Sequence, residues 1–436
     1  MSKIGQASIA PECVTAAPND GRPPLISPAT ARLLPILLAG LAMLGPFTIN
    51  IYMPSFEQMK GVFGVTDVEL QITLSLYFAA FAFMSLWHGA FSDSLGRRPV
   101  VIAGLLVFAL ASIGAACATR IEQVYVCRVL QGLSAGAGIV VGRAVIRDLY
   151  AGAAAQRLYA LVVMLFALAP AIGPVLGGWL QVHAGWRANF GLLAAMGAAL
   201  LTMVLFYLPE TLPPGKRQRF SGATLLAGYR QVLCNDTFML WAVTFALMFA
   251  GFFIYVLSAP VFLMRHLGLQ ETDFIWLFGP ATAGMMLGSY LSARFAQRWS
   301  SGRCLVTGFT IMALASLWNL IICYWAPAAY GWYLPYLFIY TLGMALVQPT
   351  IVLAGLDCVP DRRGLGSSLQ LFIQTGFNAV LAALIAPFFW HTPLLLASGA
   401  ALAMTLSLGV AALAWMSAGR RLAEAGVTPL APRSSQ

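Results

Sequence analysis

Apolar runs long enough to cross a bilayer recur from one end of this chain to the other. A helix needs about 20 consecutive apolar residues to span the hydrocarbon core. Twelve such runs fall at 32–52, 68–90, 99–118, 122–146, 158–182, 186–208, 237–262, 272–296, 304–325, 331–356, 364–389 and 393–416. Pro387, His391 and Pro393 mark a tight turn between the last two. Continuous runs, as opposed to short alternating strands, exclude a β-barrel. The charge content agrees: at 9% over 436 residues, a soluble protein could not cover its surface. The expected fold class is an all-α membrane protein with 12 transmembrane helices in two six-helix halves around a central cavity.

An even count of spans puts both termini on one side. Assigning that side to the cytoplasm leaves only Lys60, Arg120, Arg187 and Arg265 outside, while the remaining basic residues of the connections and tails fall inside. The formal charge of +10 is therefore a topology signal and implies no nucleic-acid partner. Residues 1–31, with Pro11, Pro18, Pro23, Pro24 and Pro28 and no apolar core, read as a disordered cytoplasmic tail, not a cleavable signal peptide. The longest interior connection, 209–236, separates an N-terminal half at 32–208 from a C-terminal half at 237–416, and 417–436 forms a second cytoplasmic tail. A faint echo suggests duplication: arginines 294, 298 and 303 sit where Asp93–Arg98 sits in the first half, without the acid. Paired halves around a midplane site are a transporter architecture.

The chemistry of an enzyme is not visible. No nucleophile–base pair, phosphate loop or metal cluster stands out, so no catalytic residue, cofactor or metal is expected. The seven cysteines are scattered without CxxC spacing; Cys117 and Cys127 flank a short loop but read better as buried free thiols than as a pair.

Three segments carry most of the remaining information. Gly89-Ala-Phe-Ser-Asp93-Ser-Leu-Gly96-Arg97-Arg98 concentrates an acid and two arginines between two apolar runs. Arg128-Val-Leu-Gln131-Gly132 lies in the fourth run, and Ala169-Pro170-Ala-Ile-Gly173-Pro174-Val-Leu-Gly177-Gly178 in the fifth. These resemble, in turn, the loop 2–3 signature, the fourth-span RxxQG motif and the fifth-span antiporter motif of the major facilitator superfamily. Ile51-Tyr52-Met53-Pro54, Arg143-Ala-Val-Ile-Arg147-Asp148-Leu-Tyr150 and Leu208-Pro209-Glu210-Thr211-Leu212 narrow the resemblance to the Bcr/CflA drug-efflux subfamily. The likeness is dense over 45–215 and rests on helix count and spacing afterwards.

The resemblance implies a monomeric exporter of the bacterial inner membrane, moving drug-like or siderophore-like small molecules against protons. It implies that Gly89, Asp93, Gly96, Arg97 and Arg98 form a conformational latch that holds the outward-open state and breaks when the inside opens. It implies that Pro170, Gly173, Pro174, Gly177 and Gly178 seal an antiporter. The residues themselves leave simpler readings open. The positive-inside rule alone accounts for Arg97 and Arg98, though not for Asp93. Small-residue helix packing accounts for the fifth-span glycines. Arg128, about six residues or ~9 Å inside its span, costs about 2.5–3.5 kcal/mol at depth and must face protein or water. It serves equally as a ligand contact or as an inter-helix hydrogen bond.

One departure matters. Where the subfamily places a proton-carrying Asp near the end of the first span, this chain has Asn50, which keeps the size but cannot titrate. Asp93, His88, a titrating substrate or no coupling at all then remain as alternatives. Without an acid beside Arg128, a positive cavity favouring neutral or anionic cargo is expected. Candidate substrate contacts are Asn50, Tyr77, Arg128 and Gln131 in the first half, with Gln370, Gln374 and Asn378 in the second. The last three repeat every four residues and so share one helix face. Tyr77, Phe81, Tyr255 and Phe372 are candidate aromatic walls, though in a chain with 12% aromatic residues each is better explained by packing.

Overall fold

In the computed structural model, residues 28–424 are described apart from 151, 296, 297, 326–330 and 332. Of the tails expected at 1–31 and 417–436, residues 1–27 and 425–436 lie outside the described residues, and 28–31 are helical. Every described element is helical, and 10 helices are long and apolar enough to cross a membrane. In chain order α1 is Pro28–Asn50, α2 Phe56–Phe63, α3 Asp67–Leu95, α4 Arg97–Ala116, α5 Ile121–Leu149, α6 Gly152–Ala184 and α7 Trp186–Tyr207. After the long connection come α8 Gly222–Leu233, α9 Asp236–Leu257, α10 Ile275–Phe295, α11 Ser301–Trp325, α12 Leu334–Asp357, α13 Arg363–Val380, α14 Ala386–Phe389 and α15 Pro393–Glu424. Helices thus run through every expected span, α6 and α10 included.

Local chemistry places the boundaries. Thr66 and Glu69 form a reciprocal capping box that starts α3, while the side chain of Asn235 caps α9 and that of Ser221 caps α8. Gly64, at φ 64°, ends α2 in the left-handed conformation. Three expectations need correction. The segment 89–98 is not a loop: α3 runs on to Leu95, α4 begins at Arg97, and Gly96 alone lies between them. The connection 209–236 contains the helix α8, whose Tyr229 and Val232 are buried. The last span reaches Glu424, so the tail expected from 417 starts in helix.

The helices before and after the connection form two sets that meet mainly where α3 packs on α13 and α6 on α10. At the face away from the connection this junction is closed. Gln71 Nε2 donates to the Leu257 carbonyl at 3.3 Å. Phe78 meets Phe253 edge-on at 5.5 Å between ring centroids. Gly178 lies against the backbone of Glu271, where a Cβ would collide with the carbonyl. At the connection face the sets part around a cavity.

Candidate functional site

The cavity has a volume of about 1090 Å³, just above the roughly 300–1,000 Å³ usual for ligand pockets and so roomy enough for a drug-sized molecule. Its wall is built from the last turns of α3 (Leu86, Gly89, Ala90, Ser92, Asp93), the last turns of α5 (Arg143, Ala144, Arg147), the connection (Gln218–Ser221, Tyr229) and the start of α13 with the turn before it (Asp361–Leu365, Ser367, Ser368, Leu371). Both sets therefore contribute.

The corner at Gly96 borders this cavity and is held by charge. Arg97 pairs with Asp93, one helical turn back. It also donates from Nη1 to Ser92 Oγ at 3.0 Å and from Nε to Asp148 Oδ2 at 3.2 Å. Thr211 donates to the same Asp148 oxygen at 2.8 Å. The start of α4 leaves backbone N–H groups without intrahelical partners. Glu210 fills that gap, accepting from Arg97 N at 3.0 Å, Arg98 N at 3.3 Å and Leu212 N at 2.9 Å. Gly96 takes φ 107°, and a Cβ there would strike the Glu210 carboxylate, so the position needs glycine twice over. Arg98 donates to the Leu205 carbonyl at 2.6 Å, and Gln218 N to the Asp93 carbonyl at 3.0 Å. Asp93, Gly96, Arg97 and Arg98 are thus brought together, with two acids that motif reading had not assigned to the corner. Gly89 is different: it fronts the cavity, and a Cβ there would meet nothing within 4 Å. No close helix approach requires glycine at this position.

Arg128 does not face the cavity. It is fully buried, with its guanidinium 4.5 Å from the ring centres of both Tyr52 and Tyr77. Nη1 donates to Gln131 Oε1 at 2.8 Å and to the Thr48 carbonyl at 3.3 Å, and Nε to the Thr73 carbonyl at 3.4 Å. Gln131 passes the chain on to Ser112 at 2.8 Å. Tyr77 donates to the Gly45 carbonyl at 3.2 Å. Aromatic faces and carbonyls thus take the place of an acid, each cation–π contact being worth about 0.5–2 kcal/mol. The cluster ties α1, α3, α4 and α5 together.

Asn50 is buried, donates to the Pro46 carbonyl at 2.7 Å, and has no partner for Oδ1. Of the amide stripe, Gln370 donates to the Val352 carbonyl at 3.3 Å, Asn378 is buried with Oδ1 unpartnered, and Gln374 is half-buried. None of Asn50, Tyr77, Arg128, Gln131, Gln370, Gln374 and Asn378 lines the cavity. Tyr255 is likewise a core residue, receiving a bond from Asn319 at 2.7 Å. The positive charge expected of the cavity is present but comes from other residues: Arg97, Arg143, Arg147, Arg219, Arg362 and Arg363, against Asp93 and Asp361.

In α6, the fifth-span glycines face two ways. Gly173 lies over Asn50 and Gly177 over the Ile51 carbonyl, both at the end of α1, whereas Gly178 meets the other set. Pro170 and Pro174 sit within the same helix. At the closed face an ion cluster went unread in the sequence. Arg265 Nη2 reaches Asp67 Oδ1 at 2.7 Å and Glu57 Oε1 at 2.8 Å, and Lys60 holds the same two acids at 3.2 and 2.8 Å. The Asp67 carboxylate raises the Arg265 guanidinium above its ordinary value. The described cysteines are free; of the two expected to be buried thiols, Cys117 is exposed and Cys127 only half-buried.

Comparison with known proteins agrees with this architecture. A profile of the Major Facilitator Superfamily matches residues 38–382. The chain is 29% identical over 293 residues to a chloramphenicol resistance protein of Pseudomonas aeruginosa, covering 65% of this chain and 69% of that protein. It is 24% identical over 388 residues to a bicyclomycin resistance protein homolog of Haemophilus influenzae, covering 85% and 94%. The fold matches, at TM-score 0.63 and 16% identity over 89% of this chain and 96% of the other, the crystal structure of a bacterial homolog of the human lysosomal transporter Spinster in an inward-facing, unoccupied conformation. The chain belongs to the Major Facilitator Superfamily and resembles its Bcr/CflA drug-efflux branch.

Proposed function

We propose that this protein is a secondary active exporter of small amphipathic molecules, working by alternating access in the bacterial inner membrane. In this reading it has twelve spans in two six-helix halves, with both termini and the cavity on the cytoplasmic side, and acts as a monomer. The observation that carries the reading is the cavity itself: drug-sized, walled by both helix sets, and opposed by a closed far face. A carrier must offer its site to one side at a time, and a pseudo-symmetric pair of bundles does so by rocking about a shared site. Resistance-protein relatives support export of drug-like cargo. The corner at Gly96 acts in this scheme as the latch, since it lies on the cavity's rim and would change its neighbours when the rim closes.

Proton antiport is the coupling we infer, by a route that differs from the subfamily pattern at Asn50. His88 is the only buried His, Asp or Glu among the described residues, and its Nδ1 has no hydrogen-bond partner. Asp93 is engaged by Arg97. Inverted-vesicle uptake of dyes, drugs and siderophores, with and without an imposed pH gradient, tests the proposal. Gradient-driven accumulation supports an antiporter. Equilibration without gradient dependence leaves a facilitator, and absence of flux for every compound rejects transport of this cargo class.

A further inference from the structure

We propose that the cavity is an anion-selective binding site, and that the molecules it takes are amphipaths carrying a carboxylate, sulfonate or phosphate group. The proposal rests on the transport reading above but concerns the chemistry of the site alone. Six arginines line the cavity against two aspartates. The excess is not consumed by ion pairing. Arg97 is neutralised by Asp93 and Asp148, and Arg363 by Asp357 at 2.8 Å. Arg143, Arg147, Arg219 and Arg362 have no acidic partner within 4 Å among the described residues.

The positive-inside rule explains arginines in the connections, such as Arg219. It does not explain Arg143, which lies well within α5 and is exposed into the cavity. The Tyr159 ring, 6.0 Å from its guanidinium carbon, also lines the cavity. Arg147, one turn further on, lies on the same helix face. Arg362 comes from the other helix set, and its guanidinium rests over Gly228 of α8, in space a Cβ would occupy. The four free guanidinium groups thus approach one space from three separate segments. Arginine stays charged at every physiological pH and presents a planar fork that matches carboxylate and phosphate oxygens. Low-dielectric walls focus such a field inside a cleft. The apolar part of the occupant has its own surface in Leu86, Phe220, Leu225 and Leu371.

The test uses the full chain reconstituted in phosphatidylcholine vesicles, with three probes that share one fluorophore: dansyl glycine, its neutral methyl ester, and a dansyl quaternary ammonium. Binding is read by fluorescence titration and flux is measured in parallel with chloramphenicol. Dansyl glycine is expected to bind about tenfold more tightly than the ester, the factor of one charge-assisted hydrogen bond. R143Q should abolish that preference and R143K should retain most of it. Equal binding of acid and ester, tighter binding of the cation, or binding of none of the three overturns the proposal. Chloramphenicol flux with no anion preference defeats this inference and leaves the exporter reading intact. Anion preference without any flux does the reverse. Adding phosphatidylglycerol distinguishes the source of the anion. Competition lost in R143Q identifies a lipid headgroup as an occupant, and no competition identifies a free solute.

Discussion

Glu210 is the residue on which the corner between α3 and α4 depends. It receives three backbone N–H groups, two of them at the positive end of α4, and it comes from 113 positions away in sequence. Removing a helix cap costs about 0.5–2 kcal/mol, with a further contribution from the helix dipole. Glu210→Ala should therefore lower the thermal unfolding midpoint in detergent, and Glu210→Gln should recover part of the loss because one acceptor oxygen remains. Equal losses from both would mean that charge, not capping, is what the corner needs. Arg128 poses the same question inside the bundle. Arg128→Lys keeps the charge but cannot fork between Gln131 and the Thr48 and Thr73 carbonyls, so the folded yield by size-exclusion should fall nearly as far as in Arg128→Ala. The sequence made Asp93, Arg97 and Arg98 legible because charge is scarce and theirs is concentrated. Glu210 and Asp148 carried equal chemistry, yet their partners lie far along the chain, and only the fold brings them together. Arg128 was legible as a polar residue needing partners, but its aromatic enclosure was not, since Tyr52 read as part of a motif and Tyr77 as a substrate contact, and nothing in their spacing set either ring against the guanidinium.

At the scale of elements, α6 shows what a glycine-rich helix is for. Gly177 lets α6 approach the backbone of α1, and a methyl group there meets the Ile51 carbonyl, which cannot swing aside as a side chain can. Gly177→Ala should destabilise by about 1–3 kcal/mol, the usual cost of overpacking. Gly89→Ala, facing open space, should stay within about 0.5 kcal/mol of the parent. Thermal or chemical unfolding in detergent checks both. A comparable loss at the two positions would mean that helix flexibility, and not packing distance, governs them. Spans were legible because hydrophobic length is set by the bilayer and not by tertiary detail. Their ends were less so. Ser92, Asp93 and Ser94 have the composition of a loop, but at the aqueous rim they continue α3 while bonding to their own turn and to Arg97. Similarly the i, i+4, i+8 spacing of Gln370, Gln374 and Asn378 placed them on one face of α13. It could not say that Gln370 bonds the Val352 carbonyl of α12, because a polar stripe serves a cavity and an inter-helix contact equally.

For the whole molecule, the question is what keeps the far face shut while the connection face stays open. Arg265 is the charged tie across the junction: it belongs to the second helix set and bonds Glu57 and Asp67 of the first. The pairs are partly exposed, so each is worth about 0.2–1 kcal/mol. On the alternating-access reading proposed above that is enough, because 1–2 kcal/mol changes a two-state population ratio by roughly 5–30-fold. Arg265→Gln removes the tie between sets without leaving the acids unpaired, since Lys60 still holds both from within their own set. The expected result is a longer and broader distance distribution between spin labels at Val62→Cys and Gln270→Cys in a cysteine-free background, both positions being exposed beside the junction. Arg265→Lys should fall between the two, because an ammonium cannot bond both carboxylates through the same planar fork. An unchanged distribution in Arg265→Gln would assign closure to the apolar contacts, Phe78 on Phe253 and Gly178 on Glu271. Replacing Gly178 by Ala, which forces those backbones apart, would then be the change that opens the face.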